Sequence, residues 1–281
     1  MILAASTEAA AATEAALSIG PVYWSWFIGA VLIFLALDLG VFHRKPHAVG
    51  FGEALMWTSI WFSMSMAFAF WIAPAMVGEQ WTGDHTKLFI TGYVVELSLS
   101  MDNVFVIALI FSFFRVPAEF QHRVLFWGIL GALIMRAAMI LLGASLIHQF
   151  HWILYLFGAF LLITGIKMLF AGDEEVEPEK NFAIRLARKF YPVSTQFDGQ
   201  KFFTELDGRR ALTPLALCLI MVETTDLIFA VDSIPAIFGI TTEAFIVFTS
   251  NVFAILGLRS LYFVLVVLLR HFCYLKYGLA L

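Results

Sequence analysis

The stretch VETTDLIFAVDSIPAIF, residues 222–238, carries three carboxylic acids between two apolar ends. Glu223, Asp226 and Asp232 lie within ten residues of one another, and Pro235 follows three positions after the last of them. In a soluble protein such a stretch would be a helix end with a solvated face. In a membrane the same acids would have to be accommodated away from water. The role of these three acids therefore depends on whether water or lipid surrounds the chain.

The composition of the 281-residue chain indicates a membrane protein. Its residues are 61% hydrophobic and only 14% charged, whereas about a quarter of the residues in a soluble domain are charged. A helix crosses a hydrocarbon core of about 30 Å with roughly 20 apolar residues. Such segments occur seven times, near 22–42, 54–77, 87–113, 122–147, 151–170, 213–238 and 244–270. The sequence therefore predicts an all-α fold, a polytopic transmembrane helical bundle.

The distribution of Lys and Arg predicts how the helices are oriented. Basic residues are found in the loops after the first, third and fifth predicted helices, whereas loops 78–86 and 148–151 contain no Lys or Arg. Because cytoplasmic loops are the basic ones, this alternation places the N-terminus outside. Residues 1–20 have no basic region and no continuous apolar core, so we expect a disordered extracytoplasmic tail rather than a signal peptide. Residues 21–281 are expected to form the transmembrane domain.

The long loop 171–212 is predicted to be cytoplasmic and contains two short elements. Phe182, Leu186 and Phe190 recur every four residues, while basic side chains occupy other faces. This spacing predicts a short basic amphipathic helix, which suits an anionic inner leaflet. A hairpin turn is expected further on, at the step Asp207-Gly208. We interpret the loop as a topological spacer that rests on the membrane surface.

An internal repeat relates the two halves of the chain. The segments that begin at Met101 and Thr225 align with a shift of 124, which pairs Asp102 with Asp226, and Arg136 pairs with Arg259 at a shift of 123. An offset of three helices inverts the second copy, so the sequence predicts two inverted three-helix repeats. Secondary transporters with such repeats bind substrate near the bilayer midplane. We also expect the last helix or helices of the second repeat to be missing after Leu281.

Acidic residues outnumber basic ones inside the predicted helices. A charged acid at the bilayer centre costs about 2.5–3.5 kcal/mol on insertion scales, and Arg136 and Arg259 can serve as counter-charges or gating residues for only two of them. A bound divalent cation, protons or both would relieve the imbalance. The candidate site therefore comprises five acids from the third and sixth helices, Glu96, Asp102, Glu223, Asp226 and Asp232.

Helix geometry limits which of these side chains can meet. At about 100° per residue, Glu96 and Asn103 share one stripe of the third helix, whereas Asp102 lies about 120° away from Glu96. Pro235 is incompatible with a regular helix because it removes the hydrogen bond to the carbonyl of Val231. We therefore expect unwound backbone beside Asp232, which would direct this acid and nearby carbonyl oxygens toward the site.

Several candidate ligands also have a purely structural interpretation. Asp102 and Asp226 could bind metal or could pair with the two arginines. Asn103 could donate a carbonyl oxygen or form an interhelical hydrogen bond. Met101 and Met221 flank acids and could offer a soft thioether ligand, although a methionine inside a membrane helix usually serves packing.

Four segments of the chain resemble one protein family. ELSLSMDNVFV, VETTDLIFAVDSIPAIF, SNVFAILGLRSLYF and LDLGVFHRK are similar, in order, to signature segments of TerC/Alx integral membrane proteins. The resemblance runs from about Val22 to Leu281. It implies two inverted three-helix repeats, a bacterial inner-membrane location, and a link to manganese export and, in some members, to tellurium resistance. It also implies that the five acids handle the metal, and relatives continue through about two more helices.

Three classes of function are compatible with these features. The first is a transporter of a divalent cation, most readily Mn²⁺ export through an acidic midplane site between the third and sixth helices, with Ca²⁺ or Mg²⁺ as other hard-ligand substrates and protons as a counter-ion. The second is an intramembrane aspartyl protease, which is disfavoured because no GxGD-like motif surrounds the acids. The third is a non-transporting membrane scaffold for metal delivery or tellurium-stress complexes. We expect no enzyme activity, organic cofactor or nucleic-acid partner.

Overall fold

The computed structural model describes residues 19–37, 50–150, 152–170, 181–206 and 208–271. Apolar helices lie in all seven predicted segments. In chain order the elements are α1 (Pro21–Leu37), α2 (Phe51–Gln80, with a π-helical turn at Phe68–Ile72), α3 (Gly83–Phe113), α4 (Ala118–Gln149), α5 (Ile153–Phe170), α6 (Phe182–Phe190), β1 (Phe203–Leu206), β2 (Arg209–Leu212), α7 (Pro214–Phe238) and α8 (Ala244–His271).

The predicted helical membrane fold is confirmed. Five of the described helices are long and apolar enough to cross a bilayer, and α1 and α5 are shorter apolar helices. Almost all of the predicted tail at 1–20, and the segment after Lys276 in which a further helix is expected to begin, lie outside the described residues. The inverted relation between the two halves stays a prediction.

The direction of the packed helices can be read from their contacts. Gly92 and Phe111 of α3 lie beside Ser250 and Tyr262 of α8, in the same order along both helices. Contacts between α4 and α7 also proceed in the same order, from Gly128 and Val222 at one end to Gly143 and Phe238 at the other. Each pair therefore runs parallel, as the predicted alternation of the helices across the membrane requires.

Helix α8 occupies the centre of the bundle. Its described part is almost entirely buried, and it packs against α2, α3 and α4. On a further side, the ring of Phe27 in α1 lies 6.0 Å from Phe245 and 5.9 Å from both Phe248 and Phe253, between ring centroids. Helices α1, α2, α3 and α4 thus form a wall around α8.

Two apolar clusters fill the core, and the polar residues lie at the level where these clusters meet. On α3 one cluster reaches Tyr93 and the other begins at Val104. On α7 one cluster ends at Val222 and the other begins at Ala230. Glu96 and Asp226 fall within these two gaps, roughly halfway along the helices. Their position agrees with a site near the middle of the membrane.

The segment between α5 and α7 contains a short helix and a hairpin, the two elements expected there. Asn181 caps α6, because its side-chain oxygen accepts hydrogen bonds from the backbone N–H groups of Ala183 and Ile184. Strands β1 and β2 pair antiparallel, and Gly208 in the turn between them has a φ of 74°. A positive φ of this kind suits glycine because it has no Cβ.

The prediction of unwound backbone beside Asp232 is wrong. Helix α7 continues without a break through Asp232 and Pro235 to Phe238. Pro235 lies in the last turn of the helix, so it removes only one hydrogen bond, and its own carbonyl accepts a hydrogen bond from the Gly239 N–H group at 3.1 Å. Because Pro235 is also buried in the bundle, packing can offset the lost bond.

Candidate cation site

Helix α3 buries one polar stripe and exposes another. Glu96 is fully buried at 0% exposure, and Ser100 and Asn103 on the same stripe are also buried. Asp102 and Met101 are exposed on a different face of α3. The predicted angular separation between Asp102 and Glu96 therefore appears in the structure as a difference in burial.

Arg136 of α4 joins acids from two other helices. Its Nη1 donates to Glu96 Oε1 on α3, and its Nη2 donates to Asp226 Oδ1 on α7 at 3.1 Å. A longer contact of 3.4 Å runs from Nε to the second oxygen of Asp226. The arginine is 2% exposed, so the pairs are shielded from water. Of the two predicted roles for Asp226, the structure shows the pairing with an arginine.

The buried ion cluster of Glu96, Arg136 and Asp226 contains one more acid than base. The second carboxylate oxygen of Glu96, Oε2, is buried and has no hydrogen-bond partner among the described residues. The side-chain oxygen of Asn103, Oδ1, is likewise buried and has no hydrogen-bond partner among these residues. Buried oxygens without a donor are rare, because leaving one unpaired costs about 1–3 kcal/mol. They mark places where a cation or a water molecule would be favourable.

Glu223 lies one helical turn before Asp226 and is held against the backbone of α4. A side-chain carbon added at Gly131 would overlap the Glu223 carboxylate, so only glycine leaves room for it there. Glu223 and the half-buried Asp232 make no ion pair within the part of the chain that the structure describes. The sequence prediction missed Gly131, although the small residues of α4 that face α7 were a signal for close approach.

The predicted ligands are not all brought together. Across the described residues, no three His, Cys, Asp or Glu side chains are grouped closely enough to hold a metal ion. Glu96, Asp226 and Glu223 lie around the α3, α4 and α7 contacts, whereas Asp102 is exposed on α3. The metal-ligand assignment of the acids and of Asn103 therefore stays a prediction.

Arg259 of α8 lies near the same polar level. Its Nη1 is 3.3 Å from His122 Nε2 on α4. Arg259 and Asp226 both line a cavity of about 20 Å³, whose other walls are apolar side chains of α3, α4, α7 and α8. A cavity of this size can hold about one water molecule. The cavity therefore has room for one small polar molecule beside Asp226.

Met221 and Ser233 make contacts that the sequence did not indicate. Met221 is buried, and its sulfur accepts a hydrogen bond from Asn181 Nδ2 at 3.2 Å, whereas Met101 is 40% exposed. Ser233, which was not predicted as a site residue, lies with its hydroxyl 3.5 Å from Arg136 Nη1. The signal was present, since Ser233 follows Asp226 by seven residues and so shares its helix face.

Transmembrane helices packed around a buried ion cluster define a polytopic integral membrane protein. The integral membrane protein TerC family matches residues 81–281 of this chain. The chain therefore belongs to the TerC family.

Similar proteins extend over most of the chain. It is 52% identical over 262 residues to the uncharacterised membrane protein STKORF319 of Myxococcus xanthus, a match that covers 92% of this chain and 80% of that protein. It is 47% identical over 264 residues to Alx of Escherichia coli K12, which is described as a proposed membrane-bound redox modulator, with 92% and 82% covered. A membrane protein of Rickettsia bellii is 41% identical over 259 residues, with 92% and 84% covered. No solved structure gives a significant match.

Proposed function

We propose that this protein transports a divalent cation, with Mn²⁺ export from the cytoplasm as its activity. The chain would lie in the bacterial inner membrane with its N-terminus outside, and the cation would pass between α3 and α7. Support comes from the buried ion cluster at the level where the two apolar clusters meet. Intramembrane ionisable residues of this kind are characteristic of ion pathways.

The observation that carries the proposal is the unpartnered Oε2 of Glu96. This oxygen belongs to an acid that is fully buried and that shares a single arginine with Asp226. A buried carboxylate is tolerated when it is paired or coordinates a metal. One guanidinium cannot neutralise two carboxylates, so the cluster has an affinity for a further positive charge.

Arg136 would compete with the cation for the acids. In the described conformation its guanidinium already contacts both Glu96 and Asp226. Binding of a cation between these acids would therefore weaken at least one contact of Arg136. In the absence of substrate, the arginine would keep the two acids from being left as unpaired charges. When a cation binds, Glu223, whose carboxylate lies against Gly131, would supply a further carboxylate oxygen.

The donor atoms favour a hard cation. Carboxylate and amide oxygens suit Mn²⁺, Mg²⁺ and Ca²⁺, whereas thiolates and thioethers suit softer metals. The sulfur of Met221 already accepts a hydrogen bond from Asn181, so the oxygens are the better candidate ligands. Preference for Mn²⁺ within this group follows from the family resemblance rather than from the residues.

Flux in proteoliposomes tests the proposal. Protein reconstituted with an internal Mn²⁺ indicator should transport Mn²⁺, and Glu96→Gln and Asp226→Asn should each reduce the rate at least about tenfold. Glu205→Gln, a change of an exposed acid in the hairpin, is the matched control and should leave the rate unchanged. Absence of flux in the parent protein, or equal flux in all variants, would contradict the transporter assignment.

Two other functions give different outcomes in the same experiments. A non-transporting scaffold for metal delivery or tellurium-stress complexes would bind Mn²⁺ in calorimetry but would show no flux. A redox modulator, as the name of the E. coli relative indicates for that protein, would respond to oxidants. The cysteine within the described residues, Cys218, is fully buried, so this region gives less support to thiol chemistry than to metal handling.

A further inference from the structure

Helix α6 presents three distinct faces. Ile184 is fully buried in the apolar cluster that contains Leu215 and Cys218 of α7. Leu186, two residues later, lies about 160° around the helix from Ile184. One side of α6 is therefore fixed to the bundle, and another side points away from it.

The side that points away is apolar and, within the described part of the chain, exposed. Phe182 is 75% exposed, Leu186 44% and Phe190 70%. These three side chains follow one another every four residues and form a continuous stripe along α6. An exposed apolar stripe of this kind is a surface for a membrane or for another protein.

The third face of α6 decides between these two partners. Arg185, Arg188 and Lys189 are all exposed and, at about 100° per residue, lie between the side that packs on the bundle and the apolar stripe. Helix α6 contains no acidic residue. Basic side chains beside an apolar stripe match the interface of a bilayer with anionic lipids, in which acyl chains meet the stripe and headgroup phosphates meet the cations.

The height of α6 relative to α7 places it at this interface. Asn181, the residue that caps α6, donates a hydrogen bond to Met221 Sδ. Met221 follows the start of α7 at Pro214 by seven residues, which is about 10 Å along the helix axis. The N-terminus of α6 therefore lies beside a part of α7 that belongs to the candidate membrane span.

We propose that α6 is a binding element for anionic phospholipids and that it fixes the cytoplasmic end of α7. The headgroup phosphates would contact Arg185, Arg188 and Lys189, and the acyl chains would contact Phe182, Leu186 and Phe190. Asn181 connects the lipid-binding helix to α7 through Met221, which precedes Glu223 by two residues. This inference does not depend on the proposed transport activity.

Hydrogen exchange of the full chain in nanodiscs tests the proposal. Discs of phosphatidylcholine alone are compared with discs that also contain phosphatidylglycerol. Exchange of the backbone N–H groups of α6 should be roughly tenfold slower with the anionic lipid, since each basic residue near an anionic surface contributes about a fivefold change in affinity. The double variant Arg185→Gln/Arg188→Gln should lose this dependence on lipid.

The control is Arg209→Gln/Arg210→Gln, which removes the same charge from exposed positions in the hairpin and should retain the lipid dependence. Phe182→Ser/Phe190→Ser should speed exchange in both kinds of disc, because it removes the apolar contact. Equal exchange of the parent α6 in both discs would overturn the proposal. The same loss in both arginine variants would also overturn it, since it would indicate a diffuse charge effect.

Discussion

Arg136 is the residue on which the charge balance inside the bundle depends. It contacts acids on α3 and α7 from its position on α4, so three helices meet at one guanidinium. The planar group with five N–H donors is suited to serve two carboxylates at once. The sequence predicted a counter-charge role for Arg136, but it could not assign the partners because they come from helices far apart in the chain.

Removal of Arg136 should destabilise the protein and make its stability depend more strongly on metal. Arg136→Gln leaves two buried acids without their cation, which typically costs about 3–5 kcal/mol. Thermal unfolding in detergent should therefore occur at a lower temperature. Added Mn²⁺ should raise that temperature more than in the parent protein, because the ligand stabilises the folded state to which it binds.

Arg210→Gln is the control for this experiment, because Arg210 is an exposed residue of β2. Its unfolding temperature and its response to Mn²⁺ should equal those of the parent. An Arg136→Gln variant that unfolds like the parent would show that the ion cluster contributes little. An equal Mn²⁺ effect in both proteins would show that the metal does not use the acids that Arg136 occupies.

Gly131 should be required for the position of Glu223. In Gly131→Ala the new methyl group would overlap the Glu223 carboxylate, so the acid or the α4–α7 contact must shift. Crowding of this kind costs about 1–3 kcal/mol. We also expect a decrease of about tenfold in Mn²⁺ affinity, measured by calorimetry.

Gly165→Ala provides the comparison for Gly131→Ala, since a side-chain carbon at Gly165 on α5 meets nothing within 4 Å. That variant should bind Mn²⁺ like the parent and should be at least as stable, because alanine favours the helix. A Gly131→Ala variant that binds Mn²⁺ with parental affinity would show that Glu223 is not part of the metal site.

At the scale of the element, α3 shows how far helix periodicity can predict burial. The buried stripe of Glu96, Ser100 and Asn103 and the exposed Asp102 follow from about 100° per residue. The same reasoning failed for α7, because a proline is disruptive in the middle of a helix but is tolerated in the last turn. The predicted segment 213–238 already ends three residues after Pro235, as α7 does, so the expectation of unwound backbone neglected the position of the proline in the last turn.

The continuous helix at Pro235 reverses the effect expected of Pro235→Ala. Since Asp232 already lies on regular helix, alanine should supply one N–H donor to Val231 without moving the acid. The variant should be more stable by about 0.5–1.5 kcal/mol, the net contribution of one hydrogen bond, and should bind Mn²⁺ with parental affinity. Chemical unfolding and calorimetry measure the two quantities.

Pro214→Ala serves as the reference for the change at Pro235. Pro214 is the first residue of α7, a position at which the missing N–H group has no partner within the helix. Its replacement should leave both stability and affinity nearly unchanged. A marked loss of Mn²⁺ affinity in Pro235→Ala alone would show that the proline positions the site after all.

For the whole molecule, the membrane explains why the helices were easier to predict than the site. Apolar segments must satisfy their backbone groups internally in lipid, so length and hydrophobicity almost suffice to locate them. The pairing of Arg136 with Glu96 and Asp226 and the space at Gly131 arise from packing between distant segments. A single sequence carries only weak signals of such contacts.

Metal binding by the whole acid set should depend on pH. Carboxylates that lie near one another share protons, and a cation that binds them must displace these protons. Falling pH should therefore weaken Mn²⁺ affinity, and binding should release protons. Calorimetry in buffers of different ionisation enthalpy measures both effects, and affinity that is independent of pH would show that the acids are already ionised and neutralised by the arginines.

The central position of α8 has a consequence for biogenesis. A ribosome delivers the helices in chain order, so α8 reaches the membrane after the other apolar helices of the described chain, although it contacts α1, α2, α3 and α4. The earlier helices cannot reach their final packing until α8 arrives, because the surface that they bury against it would otherwise face lipid. Final packing of these earlier helices must therefore wait until the core helix has been inserted among helices that are already in the bilayer.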